Sequence, residues 1–273
     1  MDPVTAFDKS IEATKLSISA PRIELLADGN RIVATASAAF VRSNSDFFLA
    51  TNWHCLAGIN PSNGQFLSGH QNIPETVRVI GRRMANAIWN VPHTFEISLR
   101  DDAANRLNWL EHPTFGRAVD VGVIPIPMEY SDGLVGCNED IITHPIVKCP
   151  GDEIFVLGYP YNLSGGLNYP LWKRGSIASE PSEDIDNLPK YFIDVAGRRG
   201  MSGAPVFFRS HVHLTENSKL AVGQTAQLFY GLYSGRITEK GDDPIDPIAA
   251  QIGIVWKPSV IYETVMSGVA PRI

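Results

Sequence analysis

Three residues of this chain have the side chains and the sequence settings that nucleophilic catalysis requires. His54 ends an apolar run, Asp120 begins another, and Ser202 lies in a turn of sequence Gly-Met-Ser-Gly-Ala-Pro. A histidine can act as a general base, a carboxylate can orient its ring, and a hydroxyl can then attack a carbonyl carbon. The glycines beside Ser202 allow the tight turn that exposes such a hydroxyl. We therefore expect acyl-transfer chemistry from these three side chains.

Other residues of the same types compete for these roles. Asp101 and Asp102 lie in a polar segment typical of a solvated turn, whereas Asp120 adjoins an apolar strand and would need a buried partner. Ser164 also precedes two glycines, but no apolar strand follows it directly. The six remaining histidines lie in polar or loop sequence and are expected at the surface: His70, His93, His112, His144, His211 and His213.

The composition indicates a globular protein and argues against several classes of partner. The chain has 273 residues, of which 44% are hydrophobic and 19% are charged, and its formal net charge is −6. No basic cluster is longer than the arginine pairs at 82–83 and 198–199, which argues against nucleic acid as a partner. No apolar run is long enough to cross a bilayer and no signal sequence is visible, so we expect no membrane partner.

The three cysteines, Cys55, Cys137 and Cys149, match neither a disulfide framework nor the spacing of a zinc site. An odd number of thiols cannot all pair within one chain. We expect reduced thiols in a cytoplasmic protein, and we expect neither a metal ion nor a cofactor.

Many short strands must position the three candidate residues. Runs rich in Val, Ile, Phe and Tyr, separated by turn-forming residues, predict a barrel or sandwich rather than alternating strands and helices. The strand candidates are residues 31–41, 46–51, 76–80, 94–99, 119–124, 153–158, 191–195, 204–208, 227–234 and 250–256. A short helix and an extended segment are expected within 1–27, and a helix from Lys257 to Met266 with Pro258 near its start. Residues 210–225 are expected to form a loop.

In the order histidine, aspartate, serine, the motifs resemble those of the trypsin-like (chymotrypsin-fold) serine peptidases, particularly their bacterial branch. The matching signatures are TNWHC around His54, DVGV from Asp120 and GMSGAP around Ser202. The resemblance covers roughly residues 30–265. It implies an all-β fold of two six-stranded antiparallel β-barrels with the active site in the cleft between them, plus a short N-terminal segment and a C-terminal helix. The implied divisions of this single peptidase domain are an N-terminal extension (1–29), a first barrel (30–135) and a second barrel with the helix (136–273).

The resemblance also implies an activity. A serine endopeptidase of this family hydrolyses a polypeptide substrate through an acyl-enzyme intermediate. The backbone N–H groups of Gly200 and Ser202 would form the oxyanion hole, which binds the negative oxygen of the tetrahedral intermediate. Ser234 would donate a hydrogen bond to Asp120, as the matching serine does in the family.

A specificity pocket is implied by the same resemblance, with Ala196 at its base. A neutral base gives a buried cation no partner, which predicts cleavage after small or apolar residues rather than after Lys or Arg. Arg199 and Arg236 would alternatively favour an acidic residue. The residues expected to bind substrate are Ala196, Gly197, Arg199, Ser234, Gly235, Arg236 and Gly253.

Met201 departs from the digestive enzymes of this family, in which an aspartate before the nucleophile pairs with a newly cut N-terminus. The segment from Arg31 also lacks the two glycines of an activation site. We therefore expect a protein that needs no N-terminal cleavage. The alternative is a catalytically silent, protease-like binding or regulatory module, and a regulatory protein partner fits either hypothesis. An α/β-hydrolase esterase is excluded, because that fold places the serine before the aspartate and histidine.

Overall fold

The computed structural model describes residues 14–67, 73–86, 90–101, 103–139, 147–214, 220–236 and 251–271, with the backbone alone for 210–214, 220–226 and 236. The strands in these ranges are, in chain order, β1 (Arg22–Ala27), β2 (Arg31–Ser37), β3 (Ala39–Ser43), β4 (Asp46–Thr51), β5 (Thr76–Met84), β6 (Asn90–Ser98), β7 (Arg100–Asp101), β8 (Arg106–Leu107), β9 (Leu110–Glu111), β10 (Gly122–Pro125), β11 (Glu153–Gly158), β12 (Leu171–Ile177), β13 (Lys190–Asp194), β14 (Pro205–Leu214), β15 (Leu220–Arg236) and β16 (Ile252–Trp256). The helices are α1 (Trp53–Ala57), α2 (Met128–Ser131) and α3 (Pro258–Ser267).

The N-terminal half contains two four-stranded antiparallel sheets, with strand orders β2-β1-β5-β6 and β3-β4-β10-β9. Alternation of apolar residues determines which face of each strand is buried. In β5, for example, Val77 and Val79 are fully buried, whereas Arg78 between them is not. These side chains pack with Trp53 and Trp109 in one apolar core, against which α1 is held.

This half differs in two details from the expected strands. The run at 31–41 is two strands rather than one, because the chain passes from the first sheet to the second at Ala38. β2 ends there because the Ser37 N–H donates to the Ser202 carbonyl oxygen at 2.9 Å, in the other half of the molecule. The second detail is β1, which precedes residue 30 and yet pairs with both β2 and β5. The sheet therefore begins at Arg22.

The C-terminal half is a closed antiparallel barrel with strand order β11-β12-β13-β16-β15-β14. Closure leaves none of these six strands with a free edge inside the barrel. β14 and β15 continue to pair beyond Ser210, as far as Leu214 opposite Leu220. The loop expected at 210–225 is therefore largely a β-hairpin, although residues 215–219 lie outside the described part of the chain.

A second apolar cluster joins the two halves. It includes Ala39 and Val121 from the first half, Phe207 and Trp256 from the barrel, and Ile261 from α3. All five side chains are buried. Burial of apolar surface contributes roughly 25 cal/mol per Å², so this shared cluster stabilises the docking of the two halves that places the candidate residues together.

The C-terminal helix was expected from Lys257, and the structure confirms it. Lys257 is the N-cap residue, Pro258 is the first helical residue, and Val260, Ile261 and Thr264 face the core. Residues 14–18 are helical and β1 follows them, which agrees with the expected N-terminal helix and extended segment; residues 1–13 lie outside the described ranges. Of the helices that the structure describes, none has the length and apolar character that a membrane crossing requires.

Candidate active site

His54 and Asp120 form a hydrogen-bonded pair where the two halves meet. His54 is the second residue of α1, and Asp120 lies just before β10. His54 Nδ1 is 2.7 Å from Asp120 Oδ2, and the His54 backbone N–H donates to Asp120 Oδ1 at 2.9 Å. An ionised carboxylate has no proton to give, so Nδ1–H is the donor and Nε2 is an acceptor when the imidazole is neutral. The imidazole is therefore in the tautomer that a general base requires.

Contacts from both halves hold Asp120, which is 7% exposed. The fully buried Asn52 donates its amide N–H to the Asp120 carbonyl oxygen at 2.8 Å. The Ser234 hydroxyl donates to Asp120 Oδ2 at 2.5 Å, which is the contact expected from the resemblance. The register between β15 and β16 shifts between Tyr233 and Gly235, so Ser234 is the extra residue of a β-bulge. Such a bulge re-aims a side chain, here toward Asp120.

The surroundings of His54 favour its protonated form. Burial lowers the pKa of the imidazole, because the charged ring loses hydration. The charge and the hydrogen bond of the Asp120 carboxylate raise that pKa, Cys55 acts in the same direction, and together they outweigh the effect of burial. The resulting pKa lies well above the usual 6.5. The imidazolium that forms when His54 accepts a proton is therefore stabilised where it stands.

The turn before Ser202 contains two backbone N–H groups, those of Gly200 and Ser202, that have no acceptor among the described residues. The Arg199 carbonyl oxygen accepts the Tyr161 N–H at 2.7 Å. Because a trans peptide directs its N–H opposite to its C=O, the Gly200 N–H faces away from Tyr161. The Gly200 carbonyl oxygen accepts the Ser37 hydroxyl at 2.8 Å, which fixes the next peptide. We call residues 199–203, held in this way, the oxyanion turn, after the role that the resemblance implies for them.

Two glycines and a buried methionine determine the shape of the oxyanion turn. Gly200 and Gly203 have φ of +90° and +81°. A Cβ on Gly200 would lie 2.3 Å from the Tyr159 carbonyl oxygen, and one on Gly203 would lie 2.3 Å from the Ser37 carbonyl oxygen. Both positions therefore require glycine. Met201, which lies between Gly200 and Ser202 in the chain, is fully buried in the core of the second barrel and anchors the turn.

Ser202 and His54 line one cavity of about 340 Å³. Gly200 also lines it, and much of the remaining lining comes from the first half, including Val33 and Leu67. In the part of the chain that the structure describes, no hydrogen bond joins the Ser202 hydroxyl to His54. Catalytic hydrogen bonds of this kind are often long or poorly aligned until substrate binds. Ser202, His54 and the residues that carry the two unengaged N–H groups thus line a single concave surface.

The residues expected at the base of a specificity pocket are not all brought to this cavity. Arg199 is exposed and lines it beside Ser202. Ala196 instead lines a separate cavity of about 370 Å³, together with Asp194. Gly197, which follows Ala196 in the chain, is buried. The structure therefore separates Arg199 from the expected pocket base.

The expected walls of the pocket lie on two paired strands, β15 and β16. Ser234 is bound to Asp120, Gly235 follows it, and the backbone of Arg236 pairs with Gly253. A Cβ on Gly253 would lie 2.6 Å from Tyr233 Cε2, and Tyr233 is 1% exposed. The Tyr233 ring therefore already fills the space against Gly253.

The expectation that His112 lies at the surface is wrong, because this residue is 1% exposed. The N–H groups of Thr114 and Phe115 both donate to His112 Nδ1 at 3.2 Å, and His112 Nε2 is 3.0 Å from Glu263 Oε2. The turn that follows the ring and α3 thus enclose it, and neither contact is visible in the local sequence. Of the other five histidines, His93 is partly buried, His70 and His144 lie outside the described residues, and the side chains of His211 and His213 are not described.

No disulfide bond joins the three cysteines, all of which lie within the described residues. Cys55 and Cys137 are buried, and Cys149 is exposed. Among the residues that the structure describes, no group of three or more His, Cys, Asp or Glu side chains could hold a metal ion.

No role was predicted from the sequence for three residues that build the site. Ser37 lies 163 residues from the Gly200 carbonyl that it binds, and nothing in its neighbouring sequence marks it. Tyr161 contributes only its backbone N–H, which any residue but proline could supply. Asn52 is different, because it lies inside the TNWHC motif, and its position two residues before His54 is the available signal.

Comparisons with known proteins support the fold. No protein-family model and no curated protein sequence matches the chain. Among solved structures, the chain is similar to the serine endoprotease from Yersinia pestis, with a TM-score of 0.50 and 14% identity over 94% of this chain. It spans 65% of the length of that structure. The active form of the Rv3671c protease from M. tuberculosis gives a TM-score of 0.49 and 17% identity, covering 99% of this chain and 88% of that one.

The architecture confirms the predicted fold class. The chain is mostly β, with a closed six-stranded barrel, further sheets and a C-terminal helix, and its fold is chymotrypsin-like. At these identities the likeness concerns the fold, so the function has to be argued from the site.

Proposed function

We propose that this protein is a serine endopeptidase, with Ser202 as nucleophile, His54 as general base and Asp120 as the residue that orients it. The observation that carries the proposal is the pair of unengaged N–H groups at Gly200 and Ser202. Both residues line the same cavity as His54, and the turn that holds them is fixed from both halves. The tetrahedral intermediate of acyl transfer requires adjacent unengaged N–H donors beside a histidine whose Nε2 can accept a proton.

The reaction would proceed in two stages. Ser202 Oγ attacks the carbonyl carbon of the substrate while its proton passes to His54 Nε2, and the carbonyl oxygen becomes the oxyanion bound by the Gly200 and Ser202 N–H groups. His54 then gives the proton to the departing amine, the C–N bond breaks, and an acyl-enzyme remains. Water, deprotonated by His54, hydrolyses the ester and restores the hydroxyl. Asp120 stays ionised throughout.

We further propose cleavage after small or apolar residues. The Tyr233 ring against Gly253 limits the depth available between β15 and β16. The base position inferred by resemblance, Ala196, carries no charge to pair with a substrate cation. A long basic side chain would therefore find no charged partner in the side chain of Ala196.

A catalytically silent binding module is the second candidate. It is favoured by one observation, the lack of a hydrogen bond between Ser202 and His54 in the described part of the chain. Such a module would bind peptides in the cavity beside His54 without cleaving them. Its oxyanion turn would not need to be competent, so cleavage by the protein decides between the two candidates.

Digestion of a proteome-derived peptide library tests the proposal and reports specificity together. The wild-type protein is expected to produce new peptide termini that follow small or apolar residues, and Ser202→Ala is expected to produce none. Ser164→Ala is the matched control, because that exposed serine also precedes two glycines but lies outside the site, and it should digest like the wild type. Folded wild-type protein that binds the peptides without cutting them would support the silent module instead.

A further inference from the structure

Trp53, the residue before His54, is hydrogen-bonded to a carboxylate outside the proposed triad. Trp53 is 2% exposed, and its indole N–H donates to Glu111 Oε2 at 2.8 Å. Trp53 and His54 are the first two residues of α1, which is five residues long. A helix this short has little stability of its own. Its orientation therefore depends on the contacts of its side chains with the rest of the protein.

Glu111 lies between two neighbouring segments, one on each side of β9. On one side it pairs with Gly122 of β10, the strand that begins just after Asp120. On the other side the Glu111 N–H donates to the Val269 carbonyl oxygen at 2.9 Å, and the Val269 N–H donates to the Glu111 carbonyl oxygen at 3.1 Å. The chain that follows α3 thus closes over β9. The strand that carries the hydrogen-bond acceptor of Trp53 is thus also the strand that pairs with β10, next to Asp120.

A second buried tryptophan in the same core shows that packing alone does not require this hydrogen bond. Trp109 is 1% exposed and contacts Trp53 edge to face, with ring centroids 6.0 Å apart. Its indole N–H has no partner among the described residues. Glu111, in contrast, holds a partly buried carboxylate against the Trp53 indole, although removing a carboxylate from water is costly. The Trp53 contact is thus more specific than the packing of an aromatic ring demands.

We propose that Glu111 is a positioning residue for His54, acting through Trp53 to hold α1 in register with Asp120. The inference rests on the proposed peptidase function. A hydrogen bond to a carboxylate is stronger than one between neutral groups, and a displacement of about 1 Å caused by a distant substitution can lower a rate by about 10²-fold. Neither Glu111 nor Trp53 lines the cavity that holds Ser202. Loss of this contact should therefore lower kcat and leave KM nearly unchanged.

The test compares Glu111→Ala, Glu111→Gln and Trp53→Phe with Trp109→Phe as the matched control, measuring kcat, KM and thermal unfolding of each. Glu111→Ala and Trp53→Phe should each lower kcat about tenfold or more. Glu111→Gln should retain most activity, because its amide oxygen still accepts the indole N–H. Trp109→Phe removes an unpaired N–H from the same core and should leave kcat unchanged. The double variant of Glu111→Ala and Trp53→Phe should lose no more than either single variant, since both remove one bond.

Additive losses in the double variant, or an equal loss in Trp109→Phe, would assign the effect to core packing and overturn the inference. A wild-type protein that neither cleaves peptides nor reacts with a fluorophosphonate would instead be a failure of the proposed function. In that case the NMR resonance of the His54 Nδ1 proton decides the inference. It should shift or broaden in Glu111→Ala and Trp53→Phe but not in Trp109→Phe, and an unchanged resonance in all three would overturn it.

Discussion

The Ser37 hydroxyl donates to the Gly200 carbonyl oxygen at 2.8 Å, so a side chain of the first half holds the oxyanion turn of the second. The same hydroxyl oxygen accepts the Tyr159 N–H at 3.1 Å, and the Ser37 N–H donates to the Ser202 carbonyl oxygen at 2.9 Å. Ser37 thus connects both sides of the cleft at Ser202. The shape of the oxyanion turn depends on the docking of the two halves.

Ser37→Ala should therefore lower both stability and catalysis. The substitution leaves the Gly200 carbonyl and the Tyr159 N–H without their partner, which costs about 1–3 kcal/mol for each buried group. We expect kcat to fall at least about tenfold, since one oxyanion donor is worth about 3 kcal/mol in the transition state. Ser19→Ala is the control, because the buried Ser19 hydroxyl donates to the Leu16 carbonyl oxygen away from the site. Equal kcat losses in the two variants would count against the role of Ser37.

Gly200→Ala should strongly lower activity, because the new side chain strains the backbone and collides with a neighbouring carbonyl oxygen. Its φ is +90° and its Cβ would meet the Tyr159 carbonyl oxygen at 2.3 Å, so the turn has to move. Gly151 provides a matched control, since its φ is +92° and nothing lies within 4 Å of its Cβ. Both variants carry the left-handed penalty of about 1–2 kcal/mol, but only Gly200→Ala should lose peptidase activity, by about 10²–10³-fold. Thermal unfolding and kcat/KM of both variants check this, and an active Gly200→Ala protein would show that the turn is not used.

Met201→Asp should unfold the turn rather than create an activation switch. Met201 is fully buried among apolar residues of the second barrel, and an unpaired carboxylate there costs about 3–5 kcal/mol. Met201→Leu keeps the volume and the apolar character, so it should cost less than about 1.5 kcal/mol and remain active. Denaturant unfolding measures both costs. A stable, active Met201→Asp protein would mean that the buried methionine does not anchor the oxyanion turn.

The raised pKa of His54 should determine the acidic limit of activity. Only the unprotonated imidazole accepts the Ser202 proton, so kcat/KM should fall as the pH decreases through a folded-state pKa that lies above 6.5. Asp120→Asn removes the charge that raises this pKa, so its acidic limb should move to lower pH. Its kcat should fall by about 10⁴-fold, because the amide N–H of Asn would donate to Nδ1 and hold the imidazole in the wrong tautomer.

The stability contribution of His54 has the opposite pH dependence to its activity. Because the folded-state pKa is raised, the contribution is fully present below pH 6.5 and is lost as the pH increases through the folded-state pKa. Profiles of kcat/KM and of thermal unfolding between about pH 5 and pH 9 measure both effects. A kcat/KM profile whose acidic limb lies below pH 6.5 would contradict the assignment. So would a contribution of His54 to the free energy of unfolding that increases with pH.

Local patterns predicted most of the strands and all three members of the proposed triad, because strand alternation and glycine-flanked turns are encoded within a few residues. β12 was not predicted, since Leu171–Ile177 mixes charged residues with apolar ones and lies half-exposed. The division of 31–41 into two strands was also missed. It depends on the Ser37 N–H finding its acceptor at Ser202, which no local pattern encodes.

The same limit applies to the supports of the site. The burial of His112 depends on Glu263, which is 151 residues away, and Glu111 reaches Trp53 across 58 residues. These contacts exist only after the halves and α3 have docked. A motif can thus indicate which residues react, whereas the residues that hold them are found in the folded chain.

Reaction of the intact, full-length protein with a fluorophosphonate tests the central claim most directly, because the reagent phosphonylates a serine only when a base and an oxyanion hole activate it. The mass of the protein and peptide mapping report the adduct. We predict one adduct, on Ser202 of the uncleaved chain, that forms faster as the pH increases through the pKa of His54 and is lost in Ser202→Ala and His54→Ala. Folded wild-type protein that does not react, or that reacts at another serine, would contradict the account.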